Sequence, residues 1–139
     1  MSEHGTLTLR TVEGHGLRFE ASFPHGTIVF DSGTAAVAPN PVQHLLAAVA
    51  ACEGMDVIDV LRKKRQVVTA YQIVMQGERA VEHPRRFRHI ELLHRITGRA
   101  VQRMAVDDAL RLTVEKYCSV YHSLRPDLTV TNSIEIIEG

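Results

Sequence analysis

The sequence has no excess charge of either sign, no long apolar run, few cysteines and no phosphate-binding glycine loop. Lys+Arg and Asp+Glu number 16 each in 139 residues, so the formal net charge is zero. A dedicated nucleic-acid binder normally carries a basic excess, and that class is set aside. The longest strictly apolar stretch, Leu45 to Cys52, is 8 residues, against the roughly 20 that a membrane-spanning helix needs. The opening MSEHGTLTLR lacks the basic-then-apolar layout of a secretory signal, which predicts a cytoplasmic protein. Linker-like, low-complexity and repeated segments are missing too, and the length suits one domain over 1–139. Neither a phosphate-cradling glycine loop nor a serine nucleophile elbow is present. What remains is an ordinary globular balance, 45% hydrophobic and 23% charged, with a core large enough to need no disulfide staples.

Periodicity and punctuation predict the elements. Residues 4–12, 16–23 and 26–31 read as short strands separated by Gly14, Gly16 and Gly26. Asn40-Pro41 is a helix start, with Asn as N-cap and Pro in the first turn. That helix is expected over 41–65, closing on Arg62-Lys63-Lys64-Arg65 at the negative end of its dipole. Strands follow at 67–80 and 86–97, joined through His83-Pro84. A second helix is expected from Val101 to Arg125, where Pro126 stops it. Its apolar stripe is Val106, Leu110, Val114, Tyr117, Cys118, Tyr121 and Leu124. A last strand spans 128–137. The order βββ-α-ββ-α-β, without strict βαβ alternation, is α+β. Residues 45–52 are apolar all round, which calls for burial on nearly every side, either under a curved sheet or between two subunits.

The two cysteines, Cys52 and Cys118, lie 66 positions apart, which excludes CxxC chemistry and a closely spaced zinc knuckle. A single cysteine on a helical stripe is most often an inert small core residue. One on each of the two long helices suggests that the sulfurs approach each other if the helices pack. On a helix, the residue four positions on covers a side chain. For Cys118 that residue is His122, either a proton carrier or an exposed histidine near a helix end. For Cys52 it is Asp56, expected as a structural hydrogen-bond or salt-bridge partner. Glu53 lies about 100° around the helix from Cys52. The eight histidines read as scattered surface residues, since His89 and His94 would face opposite sides of one strand. Arg62 to Arg65, and Arg85, Arg86 and Arg88, read as solvated charges.

Asn40-Pro41-Val42-Gln43-His44-Leu45-Leu46-Ala47-Ala48-Val49-Ala50-Ala51-Cys52 resembles the first-cysteine helix of the OsmC/Ohr proteins. Glu115-Lys116-Tyr117-Cys118-Ser119-Val120 resembles their second-cysteine helix. Gly54-Met55-Asp56-Val57, Gly77-Glu78-Arg79 and Thr97-Gly98 are similar to the OsmC-like branch. The resemblance implies an intertwined homodimer with two long central helices on a curved antiparallel sheet. It implies thiol-dependent reduction of organic hydroperoxides in oxidative or osmotic stress defence. Cys52 would be the peroxidatic thiol, passing through a sulfenic acid, and Cys118 the resolving one. An external dithiol, dihydrolipoyl in kind, would restore both. No metal or bound cofactor is implied, and no nucleic acid or membrane partner. The family pattern places a glutamate just after the helix-opening proline, working with an arginine from an N-terminal strand. Here Val42 and Gln43 stand at the comparable positions, neither able to carry charge, and Arg10 and Arg18 are the candidate arginines. The competing expectation is a non-enzymatic thiol protein that holds a small apolar or electrophilic ligand.

Overall fold

The turn-rich start folds into short antiparallel strands because glycine and proline punctuate residues of high β propensity. A computed structural model describes residues 1–11 and 16–139; Val12, the expected end of the first strand, and the Gly14 turn lie outside the described residues. The chain forms two compact units, Met1–Leu45 and Leu46–Gly139. In the first unit, β1 (Thr6–Leu9), β2 (Phe19–Phe23) and β3 (Gly26–Phe30) make an antiparallel sheet in that order. Asp31, which is buried, closes the following loop by accepting hydrogen bonds from the Ser32 and Val37 N–H groups, at 2.8 and 3.1 Å.

Helix α1 (Pro41–Lys63) opens as expected at Asn40-Pro41, and the unit boundary falls within it. Asn40 Oδ1 accepts from the Gln43 N–H, and Gln43 Oε1 accepts from the Asn40 N–H, both at 2.9 Å. This is a reciprocal capping box. The helix ends two residues before the expected boundary. Gln66 N–H bonds to Leu61 O and Arg65 N–H to Arg62 O, with Arg65 at φ 59°. Such a closure requires one left-handed residue, and no glycine is present to supply it. Arg65→Gly is therefore expected to stabilise the protein by about 1 kcal/mol, read as an upward shift of the urea midpoint.

In the second unit β4 (Val67–Arg79) and β5 (Phe87–Arg99) pair antiparallel over their whole length, and β6 (Thr129–Glu138) joins the other side of β5. The α+β class and the element order are as expected. Two details differ. The sheet is mixed rather than antiparallel, because β6 runs parallel to β5. The helical segment between β5 and β6 supplies the crossover that a parallel pair requires. The expected helix 101–125 is also interrupted. Helix α2 (Arg103–Leu112) passes into a π-helical turn (Thr113–Tyr117), Cys118 is extended (φ −72°, ψ 100°), and a short α3 (Ser119–His122) follows.

The core of this unit joins Val57 and Leu61 of α1, Ile96 of β5 and Val106 and Ala109 of α2, all essentially inaccessible to solvent. Leu61→Ala should cost about 2–5 kcal/mol through lost burial and a residual cavity. A melt within a degree of wild type would show that Leu61 is not in the core.

Candidate functional site

Along α1 the buried positions Val49, Glu53, Val57 and Leu61 recur every four residues, so a carboxylate occupies the middle of an apolar stripe. Gly54 lets α1 lie close to β4, since a Cβ there would be 2.9 Å from Ile73 Cδ1. Cys52 comes from the middle of this helix and Cys118 from the break after the π turn. Cys52 is half-buried, whereas Cys118 is fully buried, and both are free thiols. One ligand atom from each of Cys52, Asp56 and Cys118 lies within 4.8 Å of the other two. The two sulfurs thus lie near each other, the approach considered for two cysteine-bearing helical segments that pack together.

The surroundings are acidic. Burial pushes the Glu53 carboxyl up to about 7, the Asn132 side chain offsets part of that rise, and the charge of Asp56 adds to it. Among the described residues, neither Glu53 oxygen has a hydrogen bond of good geometry, nor does Oδ2 of Asp56. Asp56 is also raised, first by burial and then by the charge of Asp59. Burial pushes the Cys118 thiol up to about 12. The backbone N–H of Tyr121, donating to Sγ at 3.3 Å, works against the rise, while Cys52 and the Glu53 charge reinforce it. At neutral pH Cys118 is a thiol.

Beside Glu53 runs a polar chain through the core. Tyr71 Oη and His94 Nδ1 are 2.6 Å apart, and His94 Nε2 and Asn132 Oδ1 2.8 Å. Burial lowers the His94 pKa, so the ring is neutral; burial, with the Glu53 charge, raises that of Tyr71, so the phenol keeps its proton. One tautomer then satisfies both contacts, the phenol donating to Nδ1 and Nε2–H donating to the amide oxygen.

The remaining expected residues fare differently. The four-residue rule that pointed to His122 presumes a helical Cys118, which is instead extended, and the hydrogen bond at its sulfur comes from the Tyr121 N–H. His122 is exposed and stands edge-on to the Tyr121 ring. The Gln43 side chain is engaged in the helix cap. Arg10 and Arg18 belong to the first unit, where both line a cavity with Glu20, and Arg10 reaches Glu20 Oε1 at 3.5 Å. Asp56 was expected as a structural hydrogen-bond or salt-bridge partner, but among the described residues it has no ion pair and its buried Oδ2 has no hydrogen bond. His94 overturns the surface reading of the histidines, since it is 1% exposed. Asn132 and Tyr71 were not anticipated. Alternation along β5, with Ile90, Leu92, His94 and Ile96 on one face, was the signal that could have placed His94 inside.

The chain matches the family model described as OsmC-like protein over residues 32–133. It is 36% identical over 129 residues to Protein YhfA of Escherichia coli, covering 93% of this chain and 96% of that one. Among solved structures it is similar to a hypothetical protein from Aquifex aeolicus (TM-score 0.88, 28% identity, 100% and 98% of the two chains). It also shares its fold with the organic hydroperoxide resistance protein OhrB of Bacillus subtilis (TM-score 0.64, 17% identity, 95% and 98%). The chain belongs to the OsmC-like family.

Proposed function

We propose that the protein reduces organic hydroperoxides in a redox stress role, through a two-cysteine cycle restored by an external dithiol. The observation that carries this reading is the pairing of two free thiols, far apart in sequence, within 4.8 Å and with unequal burial. The half-buried Cys52 is the thiol a substrate can reach, which supports it as the peroxidatic residue. Its sulfur attacks the hydroperoxide, the O–O bond breaks, and the products are a sulfenic acid and an alcohol. The Asp56 carboxylate is placed to take the thiol proton and hand it to the departing alkoxide, and its burial makes it a stronger base than an exposed aspartate. Cys118 then attacks the sulfenic sulfur, a disulfide forms, and the hydroxyl leaves as water with the Cys118 proton. With Cys52 oxidised, one of the charges that holds the Cys118 proton is gone. A dithiol returns both sulfurs to the reduced state by exchange.

The working form is proposed to be a homodimer. Ala48 and Ala51, in the segment 45–52 that reads as apolar all round, are exposed on α1, and Met55 beyond it is 70% exposed, so an apolar side of the helix is left uncovered. An apolar groove of about 380 Å³ between α1 and β4 includes Ala51, Met55, Ile73 and Met75. Sedimentation at micromolar concentration should give a dimer, and a folded monomer would refute the assignment.

The activity is tested with cumene hydroperoxide and dihydrolipoamide. Peroxide loss should be catalytic, and a single oxidising equivalent without the dithiol should yield a Cys52–Cys118 disulfide by peptide mass spectrometry. If the peroxide persists and a small electrophile is retained instead, the protein is the thiol-containing binding protein.

A further inference from the structure

The sulfurs of Cys52 and Cys118 and a carboxylate oxygen of Asp56 converge from two segments of one unit, all within 4.8 Å of one another. Two soft donors and one hard donor form the mixed set that a borderline-soft divalent ion accepts. Among the described residues, neither Asp56 nor the adjacent Glu53 takes part in an ion pair, and Oδ2 of Asp56 is buried without a hydrogen bond. The nearby cations are already engaged. Lys63 pairs with Asp59 at 2.7 Å and Lys64 with Asp108 at 3.5 Å. A concentration of acidic groups with no compensating charge favours either bound protons or a bound cation.

We propose that the reduced protein binds one zinc-class divalent cation per chain through Cys52 Sγ, Cys118 Sγ and an Asp56 carboxylate oxygen, leaving a fourth position for water. Binding replaces two thiol protons, which are released to solvent. Tetrahedral zinc with sulfur at about 2.3 Å brings two sulfurs to roughly 3.8 Å apart, so the cluster needs only a modest contraction. The Tyr121 N–H aimed at Cys118 Sγ supplies the outer hydrogen bond that thiolate ligands use. Asp56 also lines a surface cavity of about 380 Å³ with Asp59, Lys63, Lys64 and Tyr117. The same sulfurs cannot hold a metal and a disulfide together, so oxidation of the pair expels the ion. This site does not depend on the hydroperoxide reading, and its test contains no peroxide.

The experiment titrates the reduced, full-length protein with zinc against a chromophoric chelator, and with cadmium while following the sulfur-to-cadmium absorption in the ultraviolet. One equivalent per chain is expected, with the ultraviolet band of two thiolates. Asp56→Asn should weaken zinc binding by about tenfold or more. Cys52→Ser and Cys118→Ser should each remove the two-thiolate band, and diamide oxidation should abolish binding. Far-UV circular dichroism establishes that each variant is folded. Asp56→Asn, at a half-buried position, keeps the test decisive if Cys118→Ser fails to fold. Undiminished zinc affinity in folded Asp56→Asn, or a two-thiolate band that persists in either folded cysteine variant, overturns the ligand set, as does a reduced wild type with no cadmium band.

Discussion

Cys52→Ser is expected to bring hydroperoxide consumption to the uncatalysed background, while Cys118→Ser retains a single turnover. The asymmetry follows from accessibility and acidity together. Cys52 is half-buried, and Cys118 is buried with its thiol held protonated up to about 12. Only the former can meet a substrate from solvent, and only a deprotonated sulfur attacks with useful speed. Without Cys118 the Cys52 sulfenic acid has no partner, so it should accumulate one equivalent per chain and be trapped by dimedone. Adding a monothiol should then restore slow turnover, since an external sulfur can perform the resolving step. Equal residual activity in the two variants would contradict the order assigned to the cysteines. Dimedone labelling of Cys118 in the Cys52→Ser protein would reverse it.

Glu53→Gln is expected to stabilise the reduced, metal-free protein by about 3 kcal/mol at pH 8 and to change its pH dependence. Burial holds the Glu53 carboxyl near 7 in the fold, against 4.5 as its ordinary value. The folded state therefore binds the extra proton between those two values. The contribution of Glu53 to stability is complete below about 4.5, declines as pH rises, and is lost above about 7. Glutamine keeps the shape and removes the titration. His94 works in the opposite sense, because its lowered pKa makes the fold bind fewer protons than the unfolded chain. Its contribution is present above about 6.5 and is lost as pH falls. Urea melts of wild type and Glu53→Gln at intervals from pH 5 to 8 separate the two, since His94 is common to both proteins. The difference between the curves should widen with pH. Parallel curves would mean that Glu53 is ionised in the fold throughout this range.

The sequence made some of these features legible and concealed others for identifiable reasons. Asn40-Pro41 declared the start of α1, because a capping side chain and a proline ring act locally. The break at Cys118 gave no such sign. No glycine or proline stands between Val101 and Arg125, and the apolar spacing runs on through Tyr117, Cys118 and Tyr121 as though the helix were unbroken. The π turn is a matter of backbone register, with Cys118 N–H bonding to Thr113 O at 2.9 Å. Burial of Glu53 was readable from its place four residues after Val49 and four before Val57, once the stripe rather than Cys52 is taken as the reference. Asn132 belongs to the site because β6 runs parallel to β5, where Leu92 is its register partner, and such pairing is non-local. The crossover through α2 and α3 was nevertheless visible in the element order.

The interrupted helix also decides where mechanical compliance resides. A disulfide requires its sulfurs at about 2.05 Å, so the pair must close in from its separation in the reduced state. Cys52 is embedded midway along a 23-residue helix, whereas Cys118 sits between a five-residue π turn and a four-residue helix. Displacing the former disturbs many backbone hydrogen bonds and the packed stripe beneath it. Displacing the latter disturbs one turn. Closure of the proposed disulfide would therefore be expected to register in the backbone of residues 113–122, a short stretch of chain, while the long helix stays in place.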